Sequence, residues 1–264
     1  MREKLIEAVV KNKDKVSYIN LNSNNEYQGW TYNFNIVLPN GINMCLDLKK
    51  EVDLFLLFVL ASSWSKTGPW ENAAFFTTYL KVSNKNNVKL WLDDSFVKSE
   101  IENRDKNARD IVKVCSGLVV RKKVSFRSDF YSSISVIAKN WSTIKEKLEM
   151  ANLQDDYKIF IKYIGSLDGL GAGKKRMKIK IPLILRELRC QGIYCNIPGE
   201  LCCVPDERVK EASKEIGIKI PHVNSVDSLF RASAVIYNHF GDLYDIPLFA
   251  YEDLKQDIIY KPVE

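Results

Sequence analysis

Four glycines fall between Gly165 and Gly173, and amphipathic helical patterns flank them on both sides. Upstream, Asp155 and Asp156 are placed to cap a helix whose apolar residues Ile159, Phe160, Tyr163 and Ile164 recur at helical spacing. Downstream, Ile181 to Leu188 reads as an apolar helix with Pro182 in its first turn, where a missing N–H costs nothing. A glycine turn in this setting excludes two common nucleotide loops. A Walker A loop needs Gly-x-x-x-x-Gly-Lys-Ser/Thr, but Lys175 follows Gly173-Lys174, and Asp168 stands where the first glycine belongs. A Rossmann turn follows a strand and opens a parallel sheet, for which the helical C-terminal half gives no support. A hairpin between two helices near 160–190 remains.

Leu5, Val9 and Val10 predict a short amphipathic helix over 2–12. From Trp30 to Leu48 apolar residues nearly alternate on either side of Pro39-Asn40-Gly41, which predicts two strands joined as a hairpin. Residues 52–64 read as a buried helix, Trp70 to Leu80 as an aromatic-rich one, and Val88 to Leu92 as a short apolar element. Residues 118–126 are ambiguous between strand and helix. From about Ser132 the helical signal dominates, with helices near 181–190, 206–216, 225–240 and 249–256. The expected fold is mainly α, with two helical subdomains and a small N-terminal β-hairpin. The expected division is 1–50 for the N-terminal helix and hairpin and 51–264 for a helical body.

The apolar run Leu54 to Ala61 falls far short of the roughly 20 residues that span a bilayer. The N-terminus mixes acids among its apolar residues and lacks a signal-peptide pattern, so a cytoplasmic protein is expected, with no membrane association. Cys45, Cys115, Cys190, Cys195, Cys202 and Cys203 include no Cys-x-x-Cys and are expected as reduced thiols. Adjacent Cys202 and Cys203 suit no ligand pattern for zinc or an iron-sulfur cluster, so no metal is expected. The net charge of +6 is modest, but residues 174–180 hold five basic side chains and no acid. Such a run is either a solvated helix face or an anion-binding surface.

Two residues then carry candidate chemistry. Lys180, or alternatively Lys178, stands at the entrance of the Ile181 to Leu188 helix, half exposed and half walled by apolar side chains. Desolvation and the neighbouring cations would lower its pKa, as an amine nucleophile requires; phosphate binding is the plainer role. Asp206, after Pro205, opens the helix of Val209, Ala212, Ser213 and Ile216. It is an expected helix cap, and equally an acid able to stabilise positive charge on a reacting sugar.

The segment from Gly165 to about Tyr251 resembles the helix-hairpin-helix DNA glycosylase superfamily, whose hairpin lysine is followed by a Val-x-Asp-x-His-Val pattern. Here that element stands as Val204-Pro205-Asp206-Glu207-Arg208-Val209, with Arg208 where histidine is frequent. Within the superfamily the chain is most similar to the archaeal 8-oxoguanine glycosylases (AGOG). That likeness rests on the long gap from Lys180 to Asp206, the segment Leu54 to Leu80, and Phe240-Gly241 followed by Ile246-Pro247-Leu248. The branch places Asp and Trp four residues apart near the C-terminus, and Phe249 to Asp253 has no Trp.

The resemblance implies a bifunctional enzyme that excises 8-oxoguanine from double-stranded DNA and cleaves the strand by β-elimination, acting without cofactor or metal as a nucleoid-associated monomer. Lys180 would be the nucleophile and Asp206 its partner. Gly169, Gly171, Gly173, Lys174, Lys175, Arg176 and Lys178 would hold the DNA backbone. Trp64, Trp70 and Tyr251 would meet the extruded base. A non-catalytic DNA-binding protein, or an N-glycosidase acting on a nucleotide or a modified tRNA base, would use the same scaffold.

Overall fold

The computed structural model describes residues 1–16, 18–38, 40–67, 70–107, 128–167 and 176–259, with backbone alone for 65–67, 70, 71, 128–130, 176–179 and 259. Among these residues the protein is mainly helical and contains no strand. The chain divides into two compact units. One combines Met1–Trp30 with Pro182–Glu264, and the other is Thr31–Ile181.

The Thr31–Ile181 unit is built around α2 (Glu51–Thr67), which is apolar around most of its circumference and therefore buried rather than amphipathic. Phe55 and Phe58 of α2 meet Trp141 edge-on, with ring centroids 5.4 and 5.5 Å apart. α3 (Trp70–Val82) follows α2, and its Phe76 meets Tyr131 of α5 (Ser128–Lys139) at 5.8 Å. Between them come a 3-10 turn at Val88–Leu92 and α4 (Asp94–Glu102), which Asp93 caps by accepting from the amides of Ser95 and Phe96. α6 (Trp141–Gln154) and α7 (Tyr157–Ser166) complete the unit, with Asp156 capping α7 at the Lys158 amide. Buried hydroxyls in α2 and α3 are satisfied locally. Ser62 donates to the Val59 carbonyl at 2.9 Å and Thr77 to that of Ala73 at 2.8 Å.

The predicted two-stranded hairpin at 30–48 is reduced to one isolated antiparallel bridge, Val37 to Asn43. Burial still alternates: Phe34, Ile36, Met44, Leu46 and Leu48 are buried, while Tyr32, Val37 and Ile42 are exposed. The ladder fails because Asn35 adopts a left-handed conformation, φ 54°, and its amide donates to the Asn33 side chain at 2.7 Å. This Asx turn removes a donor and interrupts the pleat. The ambiguous stretch 118–126 lies outside the described residues.

In the other unit, α1 (Arg2–Lys11) packs against α12 (Tyr251–Ile259), where Asn12 Nδ2 donates to Asp257 at 2.7 Å and the Tyr18 hydroxyl donates to Asp253. The remaining helices are α8 (Arg176–Cys190, from Pro182 onward), α9 (Glu207–Glu215), α10 (Val226–Phe240) and the short α11 (Ile246–Phe249). A reciprocal capping box between Ser225 and Ser228 opens α10. No helix among the described residues is long and apolar enough to cross a membrane.

Candidate functional site

The helix carrying the candidate lysine begins at Arg176, so Pro182 lies inside α8 and not in its first turn as expected. A proline there supplies no N–H to the Lys178 carbonyl one turn back, a defect that costs about 3 kcal/mol unless the surroundings compensate. The division between the two compact units falls at this residue.

Lys180 is buried, with 8% of its surface exposed. Its Nζ lies 3.3 Å from the centroid of the Trp64 ring, which α2 delivers from the same unit. Trp64 is itself only 6% exposed, so ammonium and indole face each other in a largely dehydrated setting. A cation over an indole face is worth about 0.5–2 kcal/mol, towards the upper end when water is excluded. The contact fixes the position of an amine that has lost most of its hydration, which is a useful starting point for a nucleophile.

The other candidates are distributed more widely. Arg176 and Lys178 lie on the opening turns of α8, and Trp70 opens α3; their side chains are outside the described residues. Gly169, Gly171, Gly173, Lys174 and Lys175 also lie outside them. Asp206 and Tyr251 belong to the other compact unit. Tyr251 is 4% exposed, with Lys255 Nζ 5.4 Å from its ring centroid.

Asp206 caps α9, as its position suggested. Its Oδ1 accepts from the Val209 amide at 3.0 Å and its backbone is extended. The turn that presents it is anchored at consecutive amides. Asp206 N donates to the Val204 carbonyl at 3.0 Å across Pro205, Val204 N to Asp245 Oδ1 at 2.9 Å, and Cys203 N to Ser233 Oγ at 2.9 Å. Arg208, in the first turn of α9, donates to Asp253 at 2.6 Å and stacks on Phe249 at 4.5 Å.

This unit also has an ionic centre that no sequence motif marks. Arg186 Nη1 donates to Asp245 Oδ1 at 2.7 Å, and Arg186 Nε lies 3.5 Å from Glu187 Oε1, all three side chains being 0% exposed. Tyr27 and Trp30 flank the guanidinium at 5.3 and 4.9 Å. Burial pushes the Asp245 carboxyl above its ordinary range, while Arg186 and the Val204 amide oppose that shift. Taking Lys180 as the hairpin lysine puts Leu185 and Leu188 inward and Glu187 outward; the structure instead buries all three. The available signal was the adjacent pair Arg186-Glu187 between inward-facing Leu185 and Leu188, where charges of opposite sign invite burial as a pair.

Gly29 makes room for this cluster. Its φ is 88°, and a Cβ there would stand 2.5 Å from Glu187 Oε2. Gly29→Ala is expected to lower unfolding free energy by about 2–3 kcal/mol, through left-handed strain together with the clash, as read by a denaturant titration.

The cysteines separate by exposure. Burial foremost, with the Glu187 charge adding to it, pushes the Cys190 thiol up to about 12, whereas Cys45 and Cys195 are exposed. Only a thiolate alkylates readily. Brief iodoacetamide treatment of the folded protein followed by mass spectrometry is expected to label Cys45 and Cys195, and to leave Cys190, Cys202 and Cys203 unmodified.

No protein-family model matches this chain, and neither a curated protein nor a solved structure matches it.

Proposed function

We propose that the chain is a DNA glycosylase with lyase activity, of the helix-hairpin-helix type, which removes an oxidised purine such as 8-oxoguanine from double-stranded DNA. The observation that carries this reading is the buried amine of Lys180 held on the Trp64 ring, on the helix that begins at Arg176 within the basic run.

In this reading the amides and basic side chains of 169–178 take the phosphates, and the damaged nucleotide is extruded at a cost of a few kcal/mol that a lesion reduces. The Lys180 ammonium first gives up a proton to solvent, and the neutral amine attacks C1′ of the sugar. The glycosidic bond breaks with its electron pair leaving on the base, which takes up the proton that the attacking nitrogen sheds. The resemblance assigns the stabilisation of positive charge on the sugar to the Asp206 carboxylate. The sugar opens to a Schiff base with Lys180, loss of a C2′ proton expels the 3′ phosphate, and hydrolysis restores the amine.

A second reading has a specific observation behind it. The Asp206 carboxylate caps α9 through the Val209 amide, which is a complete structural role, and a DNA-binding protein without catalysis would need no more of it. Borohydride trapping across a panel of duplexes carrying 8-oxoguanine, other oxidised bases or an abasic site separates the two. A covalent protein–DNA adduct on an oxidised-purine duplex is the expected result; binding to every duplex with an adduct on none selects the second reading.

A further inference from the structure

The turn Cys203-Val204-Pro205-Asp206 is fastened by side chains from two other elements, at successive amides. Asp245 Oδ1 takes the Val204 amide at 2.9 Å and Ser233 Oγ takes the Cys203 amide at 2.9 Å. Asp245 and Ser233 are both 0% exposed. Asp245 is in turn oriented by Arg186 Nη1 at 2.7 Å on the same oxygen, and Ser233 sits on α10. From Val204 the restraint passes one step along the backbone, because the Val204 carbonyl accepts from the Asp206 amide at 3.0 Å. Ordinary capping of α9 requires none of this, since the bond from Val209 N to Asp206 Oδ1 already satisfies a first-turn donor.

The geometry points to Asp245 and Ser233 as positioning residues that fix the backbone from which Asp206 acts, with Arg186 setting the orientation of Asp245. The inference rests on the proposed role of Asp206 in base excision. Neither residue touches substrate. Each acts by holding one peptide amide, and a charge-assisted acceptor such as Asp245 holds it more tightly than a neutral one. A displacement of well under an ångström in a group that stabilises a developing charge is felt mainly in the transition state, so the loss should appear in kcat with KM unchanged.

The test uses the full chain and a duplex with one 8-oxoguanine, comparing wild type with Ser233→Ala, Asp245→Asn, Asp206→Asn and the doubles Ser233→Ala/Asp206→Asn and Asp245→Asn/Asp206→Asn. Ser233→Ala changes one small side chain and serves if Asp245→Asn does not fold. Each single positioning variant is expected to lose about tenfold or more in single-turnover excision with duplex affinity unchanged, and each double to be no slower than Asp206→Asn alone, since coupled residues are not additive. Excision at the wild-type rate in Ser233→Ala, or losses that multiply in the doubles, would overturn the inference. If wild type excises nothing, the glycosylase reading itself has failed. Amide exchange then decides the restraint: faster exchange at Cys203 in Ser233→Ala, with core amides unchanged, keeps the clamp, and unchanged exchange removes it.

Discussion

Lys180→Gln is expected to abolish borohydride trapping, with the adduct falling by about a thousandfold or more, to below detection, because the trapped species is a reduced imine that only an amine can form. Gln keeps a polar side chain of similar reach, so the α8 backbone and the packing beneath it should be retained. Lys178→Gln is the control. It leaves the amine on the Trp64 ring in place, removes one positive charge from the basic run, and should weaken duplex binding with a shallower dependence on salt while adduct still forms. Trapping lost in Lys178→Gln and kept in Lys180→Gln would reverse the assignment. Burial is what favours Lys180. A solvated lysine must shed water before attack, and one already 8% exposed against an indole has shed most of it during folding.

How much of this was legible in the sequence depended on whether the signal was local. The helices around Phe55, Phe76 and Phe160 follow from apolar spacing, and the Asp156 and Asp206 caps follow from residue type at a helix start. Alternation at 34–48 gave the buried face correctly and the ladder incorrectly, because one left-handed asparagine stops a strand without disturbing the hydrophobic pattern. Pro182 was misplaced for a related reason. A proline usually marks the first turn of a helix, but α8 continues upstream through Arg176. The contact between Lys180 and Trp64 joins residues far apart in sequence, and nothing local distinguishes Trp64 from any other core tryptophan. Arg186 and Asp245 are likewise 59 residues apart, and each alone reads as an ordinary surface charge.

The same pair gives the largest expected effect on stability. Arg186→Met should fill the slot between Tyr27 and Trp30 with an apolar side chain, yet cost about 3–5 kcal/mol, because it strands Asp245 and Glu187 in a buried site without the cation they share. Asp245→Asn should cost less, since Arg186 then still faces Glu187 and the amide oxygen can still accept from Val204. The double variant Arg186→Met/Asp245→Asn should recover part of the loss. pH supplies an independent check on sign. Burial already raises the folded carboxyl of Asp245 above its unfolded value, so keeping it ionised costs stability at neutral pH, and that cost is relieved as pH falls through the folded value. Removing Arg186 raises that folded value further. The deficit of Arg186→Met relative to wild type should therefore be greatest near neutrality and shrink towards acid pH in urea titrations. A deficit that is constant with pH would mean that lost packing against Tyr27 and Trp30, and not the stranded charge, accounts for the effect.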